Sequence, residues 1–493
     1  MSTSTNAPAG RSARSGSLKA SQTERQGPGT AEVDRLLLEL EQNLESVRIS
    51  LKQQEALLER VKVLGRDLNT AGPIFSKKGI STLSQYGLDK PSTGTSKEAL
   101  RCLANAFLLN ESSRQIFVDL GYASKAADRL KIDDRDNQFL ISRILFLLTY
   151  NTKVDFDGMV ENHELASSIN QHVAYHAKHF STSGRRPSAS PPMEDVSMIE
   201  TLKLMFNITY YYPDLTTRFT PSIEPLVSLV MHHPLPTPPL QPPISYILNA
   251  LLNMDLKSAE KKTPLGPNAE SSPLFPYTNP EQVLDRLISI LDNAIRSTLE
   301  SELDQAAAPL CTLLRRAYEL ASPQVQSWMR WTLLPREQDR DKPLGQGETI
   351  SARLLRLSCS PHLPTLRENI SSLLFELSDK DANKFVKNIG YGFASGFLMS
   401  HNIEVPSSAA EAGSLASDGD ASSGADVNPV TGQRLSAESS ENLSSTEMTQ
   451  EEKEREAERL FVLFERLKAT GVVDIKNPVQ EAVDEGRFEE LSD

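Results

Sequence analysis

Four segments of this chain repeat one pattern, and nothing else in it limits the fold as tightly. They are EALRCLANAFLLN (Glu98–Asn110), FLISRILFLLTYN (Phe139–Asn151), IETLKLMFNITYY (Ile199–Tyr211) and PISYILNALLNMD (Pro243–Asp255). Each is an apolar helix with an asparagine near its end, and the first three carry a basic residue near the start. They recur roughly every forty to sixty residues, the period of armadillo or HEAT units. Such helices bury their apolar faces only by stacking on their neighbours. The expectation is an all-α, armadillo/HEAT-like α-solenoid over residues 31–404, one array and not several domains.

The rest of the chain fits around that array. Val33, Leu36, Leu37, Leu40, Leu44, Val47 and Leu51 are spaced as one helical stripe, and Leu57, Val61 and Leu64 as a second that stops at Gly65. Period-two alternation is scarce, and the connections are rich in Pro and Ser. Residues 1–30 are low-complexity and are expected to form a disordered tail. Residues 405–447, rich in Ser, Asp and Glu with almost no large apolar side chain, read as a disordered acidic tether. Residues 448–493 then open on a capping box, Thr449 with Glu452. Ala457, Leu460, Phe461, Phe464 and Leu467 form an apolar stripe closed by Gly471, an amphipathic helix ahead of an acidic C-terminal tail. A helix of that length is marginal in water, so the stripe needs a partner, either another protein or the solenoid itself.

Composition excludes several function classes. A formal net charge of −13 argues against a general nucleic-acid binder. Cys102, Cys311 and Cys359 lie far apart among apolar helical positions, which argues against a disulfide framework or a zinc site and for a reducing compartment. No run approaches the ~18 apolar residues of a membrane span. The N-terminus has no apolar h-region, and its Ser, Arg and Ala content suits a disordered tail better than a transit peptide. The expected location is the cytoplasm.

Two stretches suggest chemistry and do not sustain it. NIGYGFASGF (Asn388–Phe397) has Gly390, Gly392 and Gly396, but a dinucleotide fingerprint requires glycine where Ser395 stands. The preceding residues are helix-like and not a strand, so the glycines read as a tight turn between the last two helices. PLGQGET at Pro343 lacks the lysine of a phosphate loop. His172, His176 and His179 share a helical face, but the Glu of H-E-x-x-H is missing, and a half-buried histidine face fits better than a metal site. No nucleophile elbow, Ser-His-Asp order or CxxC pair is present, so no catalytic residue, metal or cofactor is expected.

The repeats themselves carry the sharper signal. Arg101 precedes Asn105 by four residues and Lys203 precedes Asn207 by four, while Arg143 occupies the same register. Residues four apart share a helix face, so a basic and amide row runs along one wall, joined by Asn249 and Asn253 from the fourth segment. Either the row binds an extended peptide or helix, or its asparagines cap helix ends and bond adjacent loops.

These blocks, together with KFVKNIGYGFASGFL, NPVTG (Asn428–Gly432) and MTQEEKEREAERL (Met448–Leu460), occur in an order that resembles the synembryn family. That family comprises exchange factors and folding chaperones of heterotrimeric G-protein α subunits (Gα). The resemblance implies an armadillo-like solenoid whose concave face, with Arg101, Asn105, Arg143, Lys203, Asn207, Asn249 and Asn253, grips the Gα C-terminal helix. It implies that the segment after the solenoid, with Leu460, Phe461, Phe464 and Leu467, reaches the Ras-like domain and supports the nucleotide-free state. The chain would then act as a monomer by differential binding without covalent catalysis, in the cytoplasm and at the cell cortex, reaching the membrane only through Gα. The competing expectation is an armadillo-type peptide or cargo scaffold without exchange activity; a hydrolase using His172 and His176 is a distant third. Ser417 and Ser444 match acid-directed kinase sites and Ser188 a basic-directed one, so phosphorylation there is a regulatory expectation.

Overall fold

A computed structural model describes residues 28–182, 192–259, 261–262, 270–404, 427–428 and 431–437. They divide into two compact units, the first running to Trp328 and including Pro361–Leu373, the second comprising Met329–Ser360 and the chain from Leu374 onward. The single array expected over residues 31–404 is therefore two units, and each is taken by itself.

The first unit is helical almost throughout. It opens with α1 (Pro28–Glu45) and α2 (Leu51–Leu64). The single stripe expected from Val33 to Leu51 is broken between them, because Ser50 starts a new helix. Its hydroxyl accepts from the Gln53 N–H while the Gln53 side chain accepts from the Ser50 N–H, a reciprocal cap that ends any continuation from α1. Val47 and Leu51 are left exposed at the break. Next come α3 (Lys77–Leu88), α4 (Gly94–Leu109), α5 (Glu111–Asp119), α6 (Tyr122–Arg129), α7 (Arg135–Leu148), α8 (Phe156–Asn162) and α9 (Leu165–Thr182). The remaining helices of this unit are α10 (Pro192–Tyr211), α11 (Ile223–His232), α12 (Ile244–Asn253), α13 (Gln282–Ser297) and α14 (Glu300–Leu320). A two-residue antiparallel pair, β1 (Lys261–Lys262) with β2 (Glu270–Ser271), lies between α12 and α13.

Two rows of helices make the unit. In one, α2, α4, α7, α10, α12 and α14 each pack on the next; in the other, α9, α11 and α13 do the same. The rows are joined by α9 on α10, α11 on α12 and α13 on α14, and α3 packs on α4 at the start of the unit. The four repeated segments are α4, α7, α10 and α12, so the pattern in the sequence marks the four consecutive middle helices of the six in this row. Their apolar stripes, among them Leu103 and Phe107 in α4, Ile144 and Leu148 in α7, and Met205 and Ile208 in α10, are fully buried. Burial of that order is worth about 1.5–3 kcal/mol per large side chain and holds the stack together.

The second unit contains α16 (Ile350–Ser358), α18 (Ala382–Ile389) and α19 (Tyr391–Ser400). Helices α15 (Pro323–Leu333) and α17 (Pro364–Leu377) complete the fold. Gly390 joins α18 to α19 at φ +83°, a backbone conformation natural only to glycine. Of the three NIGYGFASGF glycines, Gly390 alone makes the expected turn between two helices; Gly392 and Gly396 lie within α19.

Candidate functional site

The row formed by α4, α7, α10 and α12 exposes one register along its length. Arg101 on α4, Arg143 on α7 and Lys203 on α10 stand at equivalent half-exposed positions. None of the three is a bare cation. Arg101 donates to Glu98 at 2.7 Å and to Asp136 on α7 at 3.2 Å. Lys97 reaches Asp134 at 2.9 Å and Asp136 at 3.5 Å, and Lys62 reaches Glu98 at 2.6 Å. At this end of the row cations and carboxylates balance.

The next pair of helices differs. Arg143 on α7 and Lys203 on α10 both turn to Glu200, at 3.3 Å and 2.8 Å, and Glu200 is only 5% exposed. Two cations share one carboxylate, which leaves a surplus positive charge. Lys203 also sits 4.4 Å from the centre of the Phe146 ring. That ring begins an aromatic ladder: Phe146 edge-on to Tyr150 at 5.3 Å, Tyr150 to Tyr211 at 6.3 Å, Tyr211 to Tyr210 at 5.1 Å, and Tyr210 stacked on Phe206 at 6.0 Å. Tyr210 is 62% and Tyr211 49% exposed, unusual for paired aromatics on a folded surface. A surplus cation beside exposed rings can hold both the carboxylate and the apolar face of an amphipathic helix.

The asparagines separate into two kinds. Asn207 is buried and donates to the Thr149 hydroxyl at 2.7 Å; Asn253 donates to the Phe206 carbonyl at 3.2 Å and the Thr209 hydroxyl at 3.3 Å. Both fasten one repeat to the one before it. Asn105 and Asn249 are half-buried, and neither side chain makes a hydrogen bond to a described residue. Sequence reasoning missed the aromatic ladder and the acids. Both had a signal: Phe146 and Tyr150, like Phe206 and Tyr210, follow the basic residue by three and seven positions, and Glu98 and Glu200 precede theirs by three. The tail stripe Leu460, Phe461, Phe464 and Leu467 and the serines Ser188, Ser417 and Ser444 lie outside the described residues.

No described group of three or more His, Cys, Asp or Glu could hold a metal ion. His172 and His176 are buried on α9. The His172 ring N–H donates to the Leu130 carbonyl at 2.8 Å, and His176 lies 3.1 Å from Gln138 and 3.3 Å from Glu194. Burial holds both imidazoles below the ordinary histidine range, and for His176 it outweighs the attraction of Glu194. A lowered folded-state pKa means that the unfolded chain takes up protons first as pH falls. Stability should therefore be flat above about pH 7 and fall below about 6.5, by up to about 1.4 kcal/mol for each unit separating the folded and unfolded values, with the melting temperature falling alongside. His172→Gln with His176→Gln, whose amides can still donate, should flatten that slope in thermal melts between pH 8 and 5; an unchanged slope would place the acid lability elsewhere. Cys102 and Cys311 are buried as well, which pushes the Cys311 thiol up to about 12 and the Cys102 thiol higher, so neither is a nucleophile near neutral pH. A cavity of about 560 Å³ lined by Glu41, Lys78 and Gln85 shares no residue with the row. Among the described residues no helix is long and apolar enough to cross a membrane.

Residues 57–487 match the model of a family described as guanine nucleotide exchange factor synembryn. The chain is similar to chaperone Ric-8A of Macaca fascicularis, 26% identical over 447 residues that cover 84% of this chain and 81% of the relative. It is 25% identical over 467 residues to a synembryn-like chaperone of Schizosaccharomyces pombe, covering 90% and 83%. Chaperone Ric-8A of Xenopus tropicalis is 24% identical over 476 residues, covering 89% and 85%.

Proposed function

This chain belongs to the guanine nucleotide exchange factor synembryn family, and on that premise we propose that it speeds GDP release from a Gα subunit and chaperones its folding. The row on α4, α7, α10 and α12 receives the Gα C-terminal helix. Arg143 and Lys203 hold its terminal carboxylate, and Phe146, Tyr150, Phe206 and Tyr210 cover its apolar face. The tail stripe Leu460, Phe461, Phe464 and Leu467 contacts the Ras-like domain. The chain works as a monomer in the cytoplasm and comes to the cell cortex with Gα. One observation carries this reading: two cations on adjacent repeats share the single carboxylate of Glu200 beside an exposed aromatic ladder.

No bond is broken in this mechanism. The protein binds nucleotide-free Gα more tightly than the GDP form, and by linkage it then weakens GDP binding by the same factor. Mixed with GDP-loaded Gα, it should accelerate GDP release several-fold and leave a stable nucleotide-free complex that GTP dissolves. GDP release that stays at the unassisted rate with every Gα of the host would leave a peptide-binding scaffold.

A further inference from the structure

Residues 427–428 and 431–437 fall within the stretch that composition reads as a disordered tether, 405–447. That expectation fails for them, because they are docked on the second unit. Gln433 is 2% exposed. The Leu344 N–H donates to the Thr431 carbonyl at 3.1 Å, and the Arg434 N–H to the Arg340 carbonyl at 2.8 Å. The Arg434 guanidinium pairs with Glu337 and Asp341, each at 3.1 Å. The segment is also closed on itself: the Asn428 N–H donates to the Gln433 carbonyl at 2.7 Å and the Gly432 N–H to the Asn428 carbonyl at 2.8 Å.

Arg340 sits at the centre, 7% exposed and without an ion pair to any described carboxylate. Its Nη1 donates to the Gly432 carbonyl at 3.0 Å, and its Nη2 to the carbonyls of Lys387 at 3.1 Å and Asn388 at 3.0 Å. Lys387 and Asn388 end α18, where carbonyls lack partners within the helix and carry its negative dipole. One guanidinium thus caps the helix before the Gly390 turn and clasps the later segment to it. The fit at Gly432 is close. Its φ is +69°, and a Cβ there would collide with the Leu344 side chain.

We propose that Arg340 is a positioning residue for nucleotide exchange: it clasps residues 427–428 and 431–437 to the second unit and fixes the point from which the C-terminal segment departs. This rests on the reading of the tail stripe as a Gα contact. With the clasp closed, Met448 lies eleven positions beyond Ala437, a span of at most about 40 Å. With it open, the nearest described residue before it is Glu404, forty-four positions from Met448, and the limit is roughly 150 Å. Effective concentration falls as about the −3/2 power of linker length, so a fourfold longer connection lowers it about eightfold.

The test uses the full-length protein, Arg340→Ala, Gly432→Ala and the double variant. Hydrogen exchange across residues 427–437 is followed in the free proteins. GDP release from GDP-loaded Gα and binding of a Gα C-terminal peptide are measured beside it. Wild-type amides in this stretch should be protected, and each single variant should lose about tenfold or more of that protection. Maximal GDP release should fall about eightfold at unchanged peptide affinity, a split that a simple loss of stability would not produce. The double variant should be no worse than either single one, because both open the same clasp. Equal exchange in wild type and Arg340→Ala overturns the clasp, and a released segment with full GDP release overturns the positioning role. Protection that behaves as described, in a wild type that leaves GDP release unchanged, would instead sink the exchange reading and the positioning role with it, leaving Arg340 as a structural clasp.

Discussion

The triple variant Arg143→Gln, Glu200→Gln, Lys203→Gln is expected to lose Gα binding by roughly a hundredfold or more while melting close to the wild type. Its two lost cations each remove a charge-assisted hydrogen bond to the partner's terminal carboxylate, worth about 1.5–3 kcal/mol apiece. Changing Glu200 with them matters, since that carboxylate is almost fully buried between the two. Left alone it would be an uncompensated buried charge, and lost folding would mimic lost binding. Glu200→Gln by itself should act the other way. It frees both cations from their resident competitor, so binding tightens several-fold even as stability falls by about 1 kcal/mol. Arg101→Gln should matter less, because Arg101 already faces both Glu98 and Asp136. Titration calorimetry with full-length Gα and with Gα lacking its last residues reads all of this. Wild-type affinity in the triple variant, or equal affinity for both forms of Gα, would remove the row as the binding site.

Phe107→Ala should cost about 3–5 kcal/mol, the range for deleting a large ring that the surroundings cannot refill. Phe107 on α4 is fully buried and meets Phe117 on α5 edge-on at 5.1 Å, and Phe117 in turn lies 5.8 Å from Tyr122 on α6. The Arg114 guanidinium donates to the Phe107 carbonyl at 2.7 Å, which ties α5 back to α4. In a stacked array each repeat leans on its nearest neighbours, so the loss should stay local. Scanning calorimetry is expected to show an early transition, and hydrogen exchange should assign it to α3–α6 while α10 and α12 stay protected. Gα binding should weaken only in part, because Arg101 and Asn105 go with α4 whereas Lys203 stays in place. One cooperative transition shifted by less than a degree would mean that the first repeats are neither coupled nor packed as described.

Much of this architecture is local information. The spacing of Leu103 and Phe107, of Ile144 and Leu148, and of Met205 and Ile208 sets the buried side of each repeated helix, and the same spacing puts Arg101, Arg143 and Lys203 on the opposite side. The aromatic ladder was within reach of the same argument, since its rings lie in register with the basic residues. Ser50 was legible too, but the apolar stripe running past it from Val33 to Leu51 hid a cap that only its bond with Gln53 makes plain. The turn at Gly390 followed from Ser395 and a helix-like flank.

By itself, then, the sequence determined the all-α class, the row of repeated helices and the register of its cations, because helical periodicity is a property of residues three and four apart. Tertiary structure alone decided which of those side chains are free. Asn207 is spent on Thr149, fifty-eight residues away, and Arg101 on Asp136, thirty-five away, whereas Arg143 and Lys203 share one acid. It also decided that a polar stretch around Gly432 docks, because Arg340 offers it a buried guanidinium ninety-two residues distant. Composition shows that such a stretch cannot bury enough apolar surface to fold alone. It is silent on the hydrogen-bond partners that a distant part of the chain supplies.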